Sequence, residues 1–550
     1  MNLLTLLLVC GVILVIAYFT YGRFLERQLK VDSNRKTPAY EMYDGIDYVP
    51  AKKPVLLGHH FATIAGGGPI VGPITAAVFG WFPAVLWIMI GGIFIGGVHD
   101  YTSLQASIRH KAQSIGTIIK QYMGSRGQVL FLTFSIATLM LVVGVFIILV
   151  ANTFVAVPQA ATASVLFLGI AIIFGFFVNQ MRMNLFVASV LGVIAMLLSV
   201  WVGIQYPLSL SATTWSLILL GYAYAASVLP VWILLQPRDY LNSFLLYGMI
   251  AGAAVGMIIA APTIQFPAFT GFYHEKLGFL FPILFITIAC GAISGFHSLV
   301  SSGTTAKQLD NEKNGKFIAY GGMLLESFLA IISVGTVAYL TQADFATRMS
   351  ELGGPIGTFS AGVGYFMSHV GIPEATAVTF TALTASAFLL TTLDSATRLM
   401  RYAIQELGEE RTNAFKNNHV ATTVGLIGAG ALALSGTWQS VWPLFGAANQ
   451  MLGALALLAV SAWLMKIGAK SFYVVIPMVF MLVVTIAALC VLMYQNALKQ
   501  NWLLAGSAFI LFVLCIFLAI EGWGAMTKNN EKRSRFLPPI NEMKLALLLR

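Results

Sequence analysis

Hydrophobic positions along this chain are gathered into long apolar runs separated by short polar segments. A helix needs about 20 mostly apolar residues to cross a hydrocarbon core about 30 Å thick. Fifteen runs meet or approach that length: 3–22, 56–79, 82–98, 129–152, 163–179, 185–204, 214–235, 242–262, 278–300, 317–340, 374–393, 419–437, 443–465, 472–494 and 501–523. The pattern predicts an all-α polytopic membrane protein with about 15 transmembrane helices. The first run has no basic segment ahead of it and no small-residue cleavage site before its polar flank. It is therefore expected to be a retained helix and not a signal peptide.

The polar segments between the runs carry an orientation. With residue 1 outside and fifteen crossings, 28 of the 31 lysines and arginines fall on the inner side, leaving only Lys276, Arg348 and Lys499 outside. This is the asymmetry of the positive-inside rule. Residues 356–373 are also apolar, but counting them as a crossing would invert everything downstream and reduce the split to 17 against 14. They are expected to form a re-entrant or surface element on the outer side. The predicted topology is a multi-pass membrane protein, amino terminus outside and carboxyl terminus cytoplasmic. Composition agrees: 58% of the residues are hydrophobic and 9% charged, against about a quarter charged in soluble chains. Cys10, Cys290, Cys490 and Cys515 all lie in apolar runs, so they read as small hydrophobes and not as a disulfide scaffold. The net charge of +10 is then an orientation signal, with the lipid bilayer as partner and no nucleic acid implied.

Two runs are interrupted. The second contains Gly66-Gly67-Gly68-Pro69 followed by Gly72-Pro73, and the seventh contains Ser227-Val-Leu-Pro230-Val-Trp232. Three consecutive glycines and two prolines do not sustain a regular helix. In a bilayer, irregular backbone is tolerated only where protein or a water-filled cavity satisfies it. The breaks lie five crossings apart, so their halves run antiparallel. Crossings 2–6 and 7–11 are expected to form a five-plus-five inverted repeat of the LeuT type, with the site at its broken helices. The alternative is a pair of ordinary kinked membrane helices. The expected organisation is an N-terminal helix and basic loop over 1–55, a transport core over 56–393 (repeats 56–204 and 214–393), and C-terminal helices and a tail over 394–550. Crossings 1 and 12–15 would brace the core.

Several long motifs occur in order: Asp44-Gly-Ile-Asp-Tyr-Val-Pro50, Gly58-His-His-Phe-Ala-Thr-Ile-Ala-Gly-Gly-Gly-Pro69, Leu229-Pro-Val-Trp-Ile-Leu-Leu-Gln-Pro-Arg-Asp239-Tyr240, Phe285-Ile-Thr-Ile-Ala-Cys-Gly-Ala-Ile-Ser-Gly-Phe-His297, Ser301-Ser-Gly-Thr-Thr305, Tyr320-Gly-Gly-Met-Leu-Leu-Glu326-Ser-Phe, Leu393-Asp394-Ser-Ala-Thr-Arg398 and Trp442-Pro-Leu-Phe-Gly-Ala-Ala-Asn449-Gln450. Over most of its length the chain resembles the carbon starvation (CstA) family of inner-membrane transporters, grouped with the amino acid–polyamine–organocation superfamily. The resemblance implies uptake of small carboxylate-bearing nutrients: short peptides for some members, pyruvate with protons for others. It departs from longer members, which carry a sizeable insertion where this chain has only 341–373, and a longer carboxyl-terminal region.

The rare polar groups in the runs supply the candidate chemistry. Gly66, Gly67, Gly68 and Pro69 expose backbone amides and carbonyls, and a half-helix starting near Pro69 would aim its positive end at a substrate carboxylate. Ser227, Pro230 and Trp232 are the matching candidates in the seventh run. His59 and His60 either relay protons or anchor the helix at the interface. His297 needs a partner inside the membrane. Ser301, Ser302, Thr304 and Thr305 either hold a cation or pack helices through small hydroxyls. Glu326 stands mid-run, as a proton-coupling carboxyl or a structural hydrogen-bonding acid. Asp394, Arg398 and Arg401 could share one helical face, and Arg238 with Asp239 and His99 with Asp100 are adjacent charged or ionisable pairs at their span ends. Each group is either a rocking ion-pair network or topology-setting charge. Asn449 and Gln450 are expected in interhelical hydrogen bonds.

The expected activity is secondary active import of peptides by alternating access, with pyruvate:proton symport as the alternative. No cofactor or metal is expected beyond a coupling proton or sodium ion. A membrane enzyme or redox protein using the eight histidines is disfavoured: no His-Glu-x-x-His, Cys-x-x-Cys or Walker-type run occurs. A nutrient sensor that keeps a transporter fold is the remaining alternative.

Overall fold

In a computed structural model of the protein, residues 2–45, 48–229, 234–408, 413–435 and 438–536 are described. Their regular structure is almost wholly helical, the one sheet among them being a hairpin of Tyr273–His274 and Gly278–Phe279. Among the described residues, eleven helices are long and apolar enough to cross a bilayer: Leu3–Gln28, Trp81–Arg109, Ile115–Ala156, Pro158–Val178, Leu185–Gln205, Pro237–Ala260, Glu312–Ala338, Glu374–Gly408, Trp438–Lys466, Phe472–Leu498 and Trp502–Gly524. A twelfth is counted if Lys53–Ala65 and Gly68–Phe79, bent by 42° at their junction, form one span. The protein is therefore an all-α, multi-pass membrane protein.

Three of the fifteen apolar runs take other forms. The run at 214–235 holds the shorter helix Ala212–Val228. The run at 419–437 holds Asn418–Ser435, 18 residues opening on Asn418 and His419. The run at 278–300 is divided into Leu280–Thr287 and Gly295–Gly303. Hydropathy registers apolar content and not helical continuity, so a break built from Gly291, Ser294 and Gly295 leaves little trace in it. Residues 356–373 form the helix Pro355–Ser368, entered through left-handed turns at Gly353 and Gly354. At 14 residues it is about 21 Å long. It is mostly buried, packed against Leu235–Ala260 and Glu374–Gly408, so it is not a surface element.

Burial sorts the helices. The most apolar stretch of Trp438–Lys466 is entirely buried, whereas only a third of that stretch is buried in Leu3–Gln28, Leu185–Gln205 and Trp502–Gly524. The peripheral helices expose Val12, Ile16, Leu197, Ile510 and similar side chains, a surface suited to lipid. Trp438–Lys466 was expected among the bracing helices and instead stands at the centre. Glu374–Gly408 runs unbroken across the 393/394 boundary, and one hydrophobic cluster extends from Leu3 to Leu518.

Candidate functional site

The first broken helix meets a second break, at residues 288–294. Gly66 turns the chain out of Lys53–Ala65 with φ 30° and ψ −152°, and Gly68–Ala76 restarts at once. A Cβ at Gly66 would collide with Thr392, at Gly67 with Leu389 and at Gly68 with Cys290. Glycine is thus required by close approach as well as by backbone conformation. Cys290 belongs to residues 288–294, the irregular stretch between Leu280–Thr287 and Gly295–Gly303. The two breaks, with Val142, Phe146, Thr392, Phe445 and Asn449, enclose a cavity of about 10 Å³, room for about one water.

Unwound backbone at membrane depth must find its partners in protein, and here four side chains supply them. Gln450 Nε2 donates to the Phe285 carbonyl. Trp442 Nε1 donates to Thr287 at 3.2 Å, Trp87 Nε1 to Ile288 at 3.0 Å, and Ser327 Oγ to Gly291 at 3.1 Å. Asn449 closes the other side: its Oδ1 accepts the Phe296 amide at 2.9 Å, and its Nδ2 donates to Ser294 Oγ at 3.0 Å. Asn449 is thus an N-terminal cap for Gly295–Gly303 supplied from another helix.

Beside the breaks lies a buried ionisable cluster. Asp100 is held between two imidazoles, with Oδ1 2.8 Å from His99 Nδ1 and Oδ2 2.8 Å from His297 Nδ1. His297 Nε2 is 3.4 Å from Glu326 Oε2. All four residues are fully buried. The helices of His99 and Asp100 and of Glu326 begin at π-helical turns, Gly92–Gly96 and Lys316–Tyr320, a wider turn that often marks functional positions. The turns contact each other, Tyr320 Oη donating to the Ile93 carbonyl at 3.4 Å. Both Glu326 oxygens, His60 Nε2, His99 Nε2, His297 Nε2 and Ser301 Oγ are buried without a hydrogen-bond partner. His60 borders the cluster, its Nδ1 2.8 Å from Thr305 Oγ1 and its ring against Gly322, one turn before Glu326. The row His99–Asp100–His297–Glu326 alternates proton donors and acceptors, an arrangement able to hold and pass a proton.

A second buried cluster centres on Arg238, which pairs with Asp394 and donates to Asp239 Oδ1 at 3.0 Å. Tyr222 Oη donates to Asp394 Oδ2 at 2.8 Å. His59 Nδ1 lies 3.8 Å from Asp239 Oδ2, so adjacent His59 and His60 face different clusters. Arg398 and Arg401 do not join the Asp394 pair through any hydrogen bond or ion pair. Arg398 donates to the Ala226 and Leu229 carbonyls, and Arg401 to that of Ser227, each at 2.7 Å. They satisfy the carboxyl end of Ala212–Val228.

Among the sequence candidates, Gly66, Gly67, Gly68, Pro69, His60, His297, Ser301 and Glu326 gather around the breaks and the first cluster. Ser302 bonds back to the Ser298 carbonyl at 2.7 Å, and Thr304 to Val300 at 2.9 Å. Ser227 makes its side-chain bond to Thr422 at 3.1 Å, not to the glycine break. Pro230 and Trp232 lie outside the described residues. Cys290 and Thr392 are additions. Asp100, expected with His99 either in an ion-pair network or as topology-setting charge where the polar sequence 99–107 ends the apolar run, lies inside a helix: Gly97–Arg109 has Gly97 to Ile108 all buried.

Residues 2–353 and 345–488 match the family described as carbon starvation protein CstA. The chain is similar to the peptide transporter CstA of Campylobacter jejuni, 34% identical over 549 residues that cover 86% of this chain and 78% of the relative. It is 33% identical over 603 residues to the peptide transporter CstA of Bacillus subtilis, covering 97% of this chain and 99% of the relative. With the pyruvate/proton symporter BtsT of Escherichia coli K12 it shares 32% identity over 572 residues, 86% of this chain and 79% of the relative.

Proposed function

This chain belongs to the carbon starvation protein CstA family, and from that premise we propose that it is a secondary active transporter importing short peptides by alternating access. The observation that carries the reading is the meeting of two broken helices, Gly66–Gly68 and residues 288–294, beside the His99–Asp100–His297–Glu326 row. Substrate binds between the breaks, with its carboxylate at the amino end of Gly68–Ala76. A cavity of about 10 Å³ is far too small for a dipeptide, so the helices must separate to admit one.

The proposed coupling groups are His297 and Glu326 with Asp100, approached by His59, His60, Ser301 and Ser302. Asp394 with Arg238 is a second pair that exchanges partners during the cycle. The coupling ion is a proton, which suits a row of imidazoles and carboxylates better than a sodium ion. Fifteen crossings with the amino terminus outside are supported by the 28 of 31 basic residues on one side. A LeuT-type core is supported by the cavity lining, since the third helix of each proposed repeat contributes to it: Val142 and Phe146 from one, Cys290, Ser294 and Phe296 from the other.

The test is uptake into vesicles of the purified protein under imposed proton and sodium gradients. Concentrative dipeptide uptake driven by the proton gradient is expected. Pyruvate uptake in its place would establish the second reading, which similarity to a pyruvate/proton symporter favours. Absence of gradient-driven uptake of either substrate would overturn both.

A further inference from the structure

We propose that the cavity at the end of the first span binds the phosphate headgroup of an anionic phospholipid. This cavity, of about 390 Å³, presents four cations, Arg23, Arg27, Lys30 and Lys313, beside Ser33. Its one acid, Glu26, is already paired with Lys316 at 2.8 Å, so it does not cancel the charge. None of the four cations forms an ion pair among the described residues.

The cations are held in place from two distant parts of the chain. Arg23 and Arg27 stand one turn apart on Tyr21–Gln28, hence side by side. Lys30 follows in a left-handed turn with φ 48°, and Arg109 Nη2 donates to the carbonyls of Leu29 and Lys30 at 3.2 Å each. Buried Glu312 clamps Arg109 and also Arg35, whose Nη1 is 2.9 Å from Glu312 Oε2. Lys313 is its neighbour in sequence, and Asn311 Nδ2 donates to the Ser33 carbonyl at 3.0 Å. This latch fixes Lys313 against the loop that carries Lys30.

The surroundings favour a lipid over a free anion. Val12, Ile16 and Phe19 are 56%, 54% and 51% exposed, and their spacing puts them on one face of the first helix. That face continues into Arg23, whose guanidinium carbon lies 5.8 Å from the Phe19 ring centroid. An acyl chain along Val12, Ile16 and Phe19 brings its phosphate to Arg23 and Arg27. Basic pockets at the ends of membrane helices take anionic headgroups in this way.

Native mass spectrometry of the full chain, titrated with phosphatidylglycerol or phosphatidylcholine, tests the proposal. Wild type should retain phosphatidylglycerol and release phosphatidylcholine. Arg23→Gln/Arg27→Gln/Lys313→Gln should weaken phosphatidylglycerol binding about 100-fold, since each cation near an anionic lipid contributes several-fold. The substituted side chains are exposed, so the variant should keep the wild-type elution volume. Should it not, Arg27→Gln alone, with about a fivefold loss, serves instead. Lys416→Gln/Lys466→Gln/Lys470→Gln removes the same charge elsewhere and should bind as wild type. Equal loss in that control, equal binding of phosphatidylcholine, or saturation by inorganic phosphate without competition from phosphatidylglycerol would each overturn the proposal.

Discussion

Replacing Arg238 should damage the protein more than replacing Asp394, although the two are partners. Arg238 is fully buried and serves two carboxylates at once, Asp394 and Asp239, with Tyr222 Oη completing the group. In Asp394→Asn the guanidinium keeps Asp239 and gains an amide oxygen, so the loss is near that of one hydrogen bond to a charged group, about 1.5–3 kcal/mol. In Arg238→Met two buried carboxylates lose their shared cation. Stranding a single buried charge costs about 3–5 kcal/mol, so the loss should reach at least about 5 kcal/mol unless one acid takes up a proton. Unfolding in detergent can be followed with a thiol-reactive dye that reports Cys10, Cys290 and Cys515, all buried in the folded state. The expected order of stability is wild type, Asp394→Asn, then Arg238→Met. Arg238→Met/Asp394→Leu should recover part of the loss, because it removes a stranded carboxylate. Arg238→Met no less stable than Asp394→Asn, or a double variant whose losses simply add, would refute the shared-cation reading.

Three further outcomes are expected. Glu326→Gln should abolish proton-driven accumulation while leaving substrate exchange; accumulation with unchanged proton dependence would remove Glu326 from coupling. With Cys10, Cys490 and Cys515 replaced by serine, a small methanethiosulfonate reagent should label Cys290 slowly, and saturating dipeptide should slow it further; labelling indifferent to substrate would place the binding site elsewhere. Asn449→Leu should strand the Phe296 amide and cost about 1–3 kcal/mol, seen as a lowered melting temperature, whereas Asn449→Asp, which keeps the acceptor, should lose less.

Much of the fold was legible because lipid-facing helices are uniformly apolar: the peripheral runs 3–22, 185–204 and 472–494 all recur as long helices. The first glycine break was legible for the same reason in reverse, since Gly66-Gly67-Gly68-Pro69 has no place in a regular helix. Its partner was not. Residues 288–294 read as ordinary apolar sequence because the donors that let them unwind, Trp87, Ser327, Trp442 and Gln450, sit far away in the chain. The break expected at 227–230 was visible through Pro230, but its described side is capped by Arg398 and Arg401 and packs on Thr422. Asp100 was obscured because a helix buried among other helices needs no apolar face. Hydropathy reports contact with lipid, and the most functional-looking groups here have none.

The dependence of residues 285–296 on Trp442, Asn449 and Gln450 has a consequence for synthesis. The hydrogen-bonding partners are separated by 153–165 positions. At about 5–20 residues per second, the ribosome needs about 8–30 s to deliver the second set after the first. Throughout that interval the Phe285 and Thr287 carbonyls and the Phe296 amide have entered the membrane without their partners. The nascent chain must wait in the insertion machinery, or in a polar setting beside it, until Trp438–Lys466 arrives.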